Sequence, residues 1–191
     1  ERKSVMLKLK QPALVLHAHD VPGYRYKMQY TWTMQRGAGA ETVLNWILAA
    51  YDVLCATNGN DSRLYNVIIN CHGVPGGLLA GGAGSPSINI GNIGNFSRLQ
   101  RCGIRMIWLI ACEVASQQGV LTGGVGKIFC AKLAEMVNCD VIASAEVQHV
   151  NLFDFYMRGC PWGCIDNFEG LTYRFKPTGQ HTYFVSTNYE R

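Results

Sequence analysis

The feature that most constrains this chain is a set of short apolar runs separated by helix-period segments. Residues 13–17 (Ala-Leu-Val-Leu-His) read as a first buried strand with a turn at Gly23, and 64–69 as a second. Residues 104–111 form a third run, unbroken in apolar character from Met106 onward, and 140–145 a fourth. Such runs are too short for buried helices and lack the polar alternation of a half-solvated sheet, so they predict central strands covered on both faces. Between them, Val43, Leu44, Ile47, Leu48, Tyr51 and Leu54 recur at helical spacing over 41–54, with Asn58-Gly59 as a stop. A second helix is predicted over 124–137, with Ile128, Phe129, Leu133 and Met136 on one side. Strands alternating with helices imply an α/β fold whose mainly parallel sheet carries helices on both faces.

The remaining segments are assigned by local chemistry. Residues 24–34, rich in aromatics and threonine, predict a strand or hairpin at a sheet edge. Residues 73–94 include eight glycines and predict an irregular loop, with a short hairpin at 87–90. The tail over 170–185 predicts a hairpin closing at Pro177-Thr178-Gly179-Gln180. No internal repeat or composition shift divides the 191 residues, so one domain over 1–191 is expected.

Composition narrows the function classes. With 48% hydrophobic and 16% charged residues the chain can bury a substantial core, which argues against a disordered binder. No apolar run reaches the roughly 18 to 20 residues of a membrane span. No basic stub followed by an apolar stretch opens the chain, so no signal peptide is expected. A start at Glu1 rather than Met suggests a processed or trimmed piece. The formal charge of +4 is mild, and apart from Arg2, Lys3, Lys8 and Lys10 the basic residues are scattered, so no nucleic-acid partner is expected. The eight cysteines follow no compact disulfide framework, and several lie in apolar runs, which favours a reducing, cytoplasmic compartment.

Two residues carry the functional signal. His72 follows the second buried run and Cys112 the third. In a parallel sheet the reactive groups collect at the carboxyl ends of the strands. A thiol becomes a strong nucleophile as thiolate, and a nearby imidazole favours that form. Gly73 would let backbone approach a substrate closely, its N–H available to a developing oxyanion. Taken singly, a buried structural thiol and a hydrogen-bonded loop histidine are the commoner readings. Taken together, at matched strand ends beside a glycine-rich loop, they point to a cysteine hydrolase.

Two blocks, Val67-Ile68-Ile69-Asn70-Cys71-His72-Gly73 and Ile107-Trp108-Leu109-Ile110-Ala111-Cys112-Glu113, resemble the clan CD cysteine peptidases. That clan includes caspases, gingipains, clostripain and the cysteine protease domains of bacterial toxins. The resemblance covers residues 12 to 147 roughly, including the helix and strand that follow Cys112. It implies a caspase-like three-layer sandwich and an endopeptidase with a Cys112–His72 dyad that needs no metal or cofactor. It further implies an oxyanion hole of the Gly73 and Cys112 N–H groups. Part of the specificity pocket would come from Ser144, Ala145, Glu146 and Val147, with Glu146 selecting a basic side chain and Glu113 a second candidate. The partner implied is a protein or peptide substrate. The residues around the nucleophile in caspases and metacaspases are absent here, so their substrate preferences do not transfer. The small size suits an effector or toxin domain delivered into another cell.

Other readings compete. A Cys–His acyl-transfer enzyme (a deamidase or transpeptidase) would use the same thiolate, and a catalytically inert caspase-like module would keep only the fold. His17-Ala18-His19-Asp20 has the look of an amidohydrolase metal pair, but that barrel needs about 250 residues. Cys160 and Cys164 lack zinc spacing and predict a turn with free thiols or a local disulfide. The His72-Gly73 loop has no accompanying Gly-x-Ser-x-Gly elbow, which excludes a lipase-like site.

Overall fold

The computed structural model describes residues 6–21, 26–117, 125–148 and 159–185. Arg2, Lys3, Gly23, Tyr24 and Gly124, which figured in the sequence reading, lie outside these residues.

The buried runs become strands β2 (Ala13–Ala18), β4 (Asn66–Asn70), β8 (Met106–Ile110) and β9 (Asp140–Ser144). With β3 (Tyr30–Met34), β11 (Thr172–Phe175) and β12 (His181–Tyr183) they build a seven-stranded sheet. Its order is β12-β11-β9-β8-β4-β2-β3. The five strands from β3 to β9 are mutually parallel, and β11 and β12 add antiparallel at one edge as a hairpin. Counted along the chain, the parallel strands lie in the order 2-1-3-4-5 of doubly wound sheets, whose connections reverse direction beside the first strand. The sheet is therefore mixed α/β, and the tail hairpin and the edge strand fall where the sequence put them.

Strand alternation sends Leu14, Leu16, Val67, Ile69, Ile107, Leu109, Val141 and Ala143 to one face. There they meet helix α1 (Ala40–Asn58), a 3-10 helix (Gly94–Cys102) and helix α2 (Val125–Val137). Val15, Ile68, Trp108 and Ile142 point to the other face, where Tyr26, Met28, Phe168 and Phe184 cover them. The short ladder of β1 (Leu7–Lys8) with β10 (Cys164–Ile165) lies on that side through Leu7 and Ile165.

The expectation of helices on both faces is met on one face only within the described residues. Among the described residues all the helices pack on one face, and handedness is the reason. Right-handed crossovers that advance in one direction across a sheet pass over the same face. The connections β3→β4, β4→β8 and β8→β9 all advance that way. Only β2→β3 runs back, and it covers the opposite face with Tyr26 and Met28.

The expectation for the glycine-rich segment is corrected. It folds as a small antiparallel sheet of β5 (His72–Val74), β6 (Gly77–Leu79) and β7 (Ile88–Asn89), and buries Leu78, Ala80 and Ile88. In α2 the buried stripe is Phe129, Cys130, Leu133, Ala134 and Val137, whereas Ile128 is exposed. Among the described residues no helix is long and apolar enough to cross a membrane.

Candidate functional site

Three residues stand at the same end of the sheet, each two positions past the end of its strand. Asp20 follows β2, His72 follows β4 and Cys112 follows β8. Register explains the match: Ala13, Asn66 and Met106 align across β2, β4 and β8, so the strands end nearly level. The loop after β9 joins them, because β9 pairs with β8 and ends at the same side of the sheet. In that loop Gln148 offers its carbonyl oxygen to the Cys112 Sγ at 3.8 Å.

The backbones carrying His72 and Cys112 are packed together. A Cβ built on Gly73 would overlap the Cys112 carbonyl oxygen and lie 2.9 Å from the Cys112 nitrogen. No side chain fits there, so Gly73 is required by close approach. It leaves the two backbones of the expected oxyanion hole side by side. The Cys71 N–H donates to the Ile110 carbonyl at 3.2 Å, and the Gly76 N–H to that of Val114 at 3.0 Å, tying the two ends of β5 to the end of β8 and to the turn after it.

That turn is unusual in its own right. Glu113 takes φ +54, a left-handed conformation that costs a non-glycine residue about 1 kcal/mol or more. Surrounding bonds impose it. The Glu113 N–H donates to the Glu146 carbonyl at 3.0 Å and the Ala115 N–H to that of Ser144 at 2.9 Å. The Ser116 N–H closes the turn on the Glu113 carbonyl at 2.8 Å. Strained backbone of this kind clusters at functional sites.

Asp20 was read from sequence only as part of a histidine-rich stretch, and its relation to His72 was missed. Its Oδ2 lies 3.5 Å from His72 Nε2, with both side chains partly exposed. The same oxygen accepts the Ala83 N–H at 2.8 Å, so the folded glycine-rich segment fixes the carboxylate. Burial works to raise the Asp20 carboxyl, but the Ala83 hydrogen bond and the neighbouring His72 and His19 outweigh it and hold it below its ordinary value of 3.8. The signal for this residue was a charged group just past a buried strand. Pairing it with His72 needed the sheet order.

His17 lies beneath, in a structural role. Its Nδ1 faces Asn70 Nδ2 at 3.0 Å and its Nε2 faces the Tyr26 carbonyl at 3.0 Å. An amide N–H beside one ring nitrogen and a carbonyl beside the other match the neutral tautomer with the proton on Nε2. Both nitrogens are engaged, which removes His17 from the metal pair considered above.

The remaining residues named from sequence divide. Ser144 is fully buried, and its hydroxyl accepts from the Glu146 N–H at 3.0 Å and from Gln148 Nε2 at 2.8 Å. It braces the loop after β9 from within. The Ala145 N–H donates to the Leu171 carbonyl at 2.9 Å. Glu146 is exposed, with its carboxylate close against Gly170. Val147 is exposed beside it. Gln148 also had no sequence signal, yet it pins the loop by accepting the Glu169 N–H and donating to the Glu169 carbonyl, each at 3.0 Å.

All eight cysteines are free. Burial pushes the Cys71 and Cys102 thiols up to about 12 and raises Cys130 and Cys139 as well. Cys112 is half-buried, and what distinguishes it is its place at the strand ends. Cys160 points its thiol at the Cys164 carbonyl at 3.1 Å. Among the described residues no group of three or more His, Cys, Asp or Glu could hold a metal ion. No family model, curated protein or solved structure matches the chain.

Proposed function

We propose that the chain is a cysteine endopeptidase of caspase-like fold, with Cys112 as nucleophile and His72 as its proton-transfer partner. The observation that carries the reading is the contact of the Gly73 and Cys112 backbones at adjacent parallel strand ends. It brings the only His-Gly pair of the chain to a half-buried strand-end cysteine, with a carboxylate behind the imidazole.

In this reading the Cys112 thiolate attacks a peptide carbonyl, and the Gly73 and Cys112 N–H groups stabilise the oxyanion. His72 carries the thiol proton to the leaving amine as the C–N bond breaks, giving a thioester and the first product. Water then attacks the thioester, giving up a proton to His72, and the carboxylate product leaves as the thiol is restored. Asp20, 3.5 Å from Nε2, positions the imidazole. The left-handed Glu113 turn presents the nucleophile. The loop 145–148, whose Gln148 carbonyl touches the Cys112 thiol, forms one wall of the substrate site. Exposed Glu146 on that loop is assigned to selecting Arg or Lys before the cut.

A peptide-library digest by wild type, Cys112→Ala and Glu146→Ala tests this directly. Expected are cleavage by wild type, none by Cys112→Ala, and a relaxed Arg or Lys preference in Glu146→Ala. Cleavage by Cys112→Ala at the wild-type rate would overturn the nucleophile. An unchanged profile in Glu146→Ala would remove that residue from the pocket. Acyl transfer to an added amine without hydrolysis would replace the peptidase by a transferase. A wild type inert to every peptide and to thiol-directed electrophiles would leave a non-catalytic module.

A further inference from the structure

At the opposite pole of the sheet, before the amino ends of β4 and β8, a cleft of about 630 Å³ collects Arg63, Arg101 and Arg105. Three of the six arginines among the described residues line this one concavity, against a single lining carboxylate, Asp61. Arg101 is ion-paired with Asp52 at 3.1 Å and lies over the Tyr51 ring. Among the described residues neither Arg63 nor Arg105 has a carboxylate within ion-pair distance, and both side chains are exposed.

The cleft is built rather than incidental. The Arg63 stem crosses Gly103 so closely that a Cβ there would lie 2.9 Å from Arg63 Cγ. Asp52 and Tyr51 hold Arg101 in place. Tyr65 in the wall is itself fixed by the Lys10 ammonium, 4.0 Å from its ring centre. Like charges gathered in a concave surface repel one another, and an anion between them relieves that repulsion. Guanidinium forks match phosphate oxygens two at a time. The volume falls in the range of small-molecule sites and exceeds what a lone phosphate fills.

We propose that this cleft binds a small anion carrying two or more phosphate groups. Its recognition is by charge and guanidinium geometry, remote from His72 and Cys112 and independent of the peptidase reading.

Calorimetric titration of the full chain with tripolyphosphate tests it. Saturable binding is expected, weakened on the order of tenfold or more by Arg63→Gln/Arg105→Gln, a loss of about 1.4 kcal/mol or more. Arg36→Gln/Lys127→Gln, which removes the same charge elsewhere, is expected to bind as wild type. In the wild type, tripolyphosphate is expected to shield Arg63 and Arg105 from phenylglyoxal, read by mass spectrometry, and to leave Arg36 reactive. That readout stands even if the double variant folds poorly. Absence of binding at about 10 mM ligand would overturn the proposal. So would equal weakening by both double variants, or unshielded Arg63 and Arg105. Inorganic phosphate bound as tightly as tripolyphosphate would refute the multiple-phosphate requirement. A single-stranded oligonucleotide that binds where tripolyphosphate does not would assign the cleft to nucleic acid instead.

Discussion

Asp20 and His72 come from strands that are remote in sequence, and their contact sets two expectations at the scale of single residues. Loss of proton transfer costs on the order of 100-fold in general acid–base catalysis. His72→Ala is therefore expected to lower peptide turnover by about that factor, measured against Cys112→Ala as the zero; a drop of only a few-fold would remove His72 from the chemistry. The Asp20 carboxyl is held below its ordinary value of 3.8 in the fold. A group depressed in this way stabilises the fold above its unfolded value, and that stability is lost as pH falls through the lower, folded one. Urea midpoints of the wild type should fall as pH drops from about 5 to about 2, and Asp20→Asn should flatten part of that fall. Parallel curves for the two proteins would show that the carboxylate is not stabilised by its Ala83 and His72 contacts.

At the scale of elements, each helix is defined by the stripe it buries. The sequence pattern of α1 named Val43, Leu44, Ile47, Leu48, Tyr51 and Leu54; all but Tyr51, which is half-buried, are buried in the core. For α2 the same reasoning named Phe129 and Leu133, which are buried, and Met136, which packs half-buried against the core, but it chose exposed Ile128 and missed Cys130 and Ala134, because small residues carry little weight in a hydrophobic pattern. Packing against the turn after β8 decides the roll of that helix: a Cβ on Gly126 would overlap the Ser116 carbonyl oxygen. Leu44→Ala should cost about 2 to 5 kcal/mol in chemical denaturation, as a filled core site left void. Ile128→Ala, 53% exposed, should cost under about 1 kcal/mol. Comparable costs would mean that α2 presents a different face to the sheet. The glycine-rich segment shows why composition misleads at this scale. Glycine weakens a strand in isolation, but here β5 to β7 close a small sheet over Leu78 and Ile88, and the Ala83 N–H reaches Asp20.

Over the whole molecule, the packed core buries four of the eight thiols. Cys71, Cys102, Cys130 and Cys139 should resist a thiol reagent in the native protein, and only Cys55, Cys112, Cys160 and Cys164 should be open to it. Burial and nearby Asp166 and Cys164 push Cys160 up to about 12, so its labelling should be slow. Mass spectrometry of native and urea-denatured protein counts the modified sites. Rapid native labelling of any of the four buried cysteines would contradict the packing of this core.

The sequence by itself determined the parallel α/β class, four central strands, the two helices and the strand ends at which His72 and Cys112 stand. These follow from local periodicity and from the preference of apolar runs for a covered sheet. Tertiary structure alone decided that the helices of the described residues gather on one face, since handedness acts on the order of strands rather than on any one segment. It decided too that Asp20 faces His72, that Gly73 seats against Cys112, and that Arg63, Arg101 and Arg105 share a cleft. Each of these joins residues that only strand register and crossover direction bring together, and no local pattern encodes that distance.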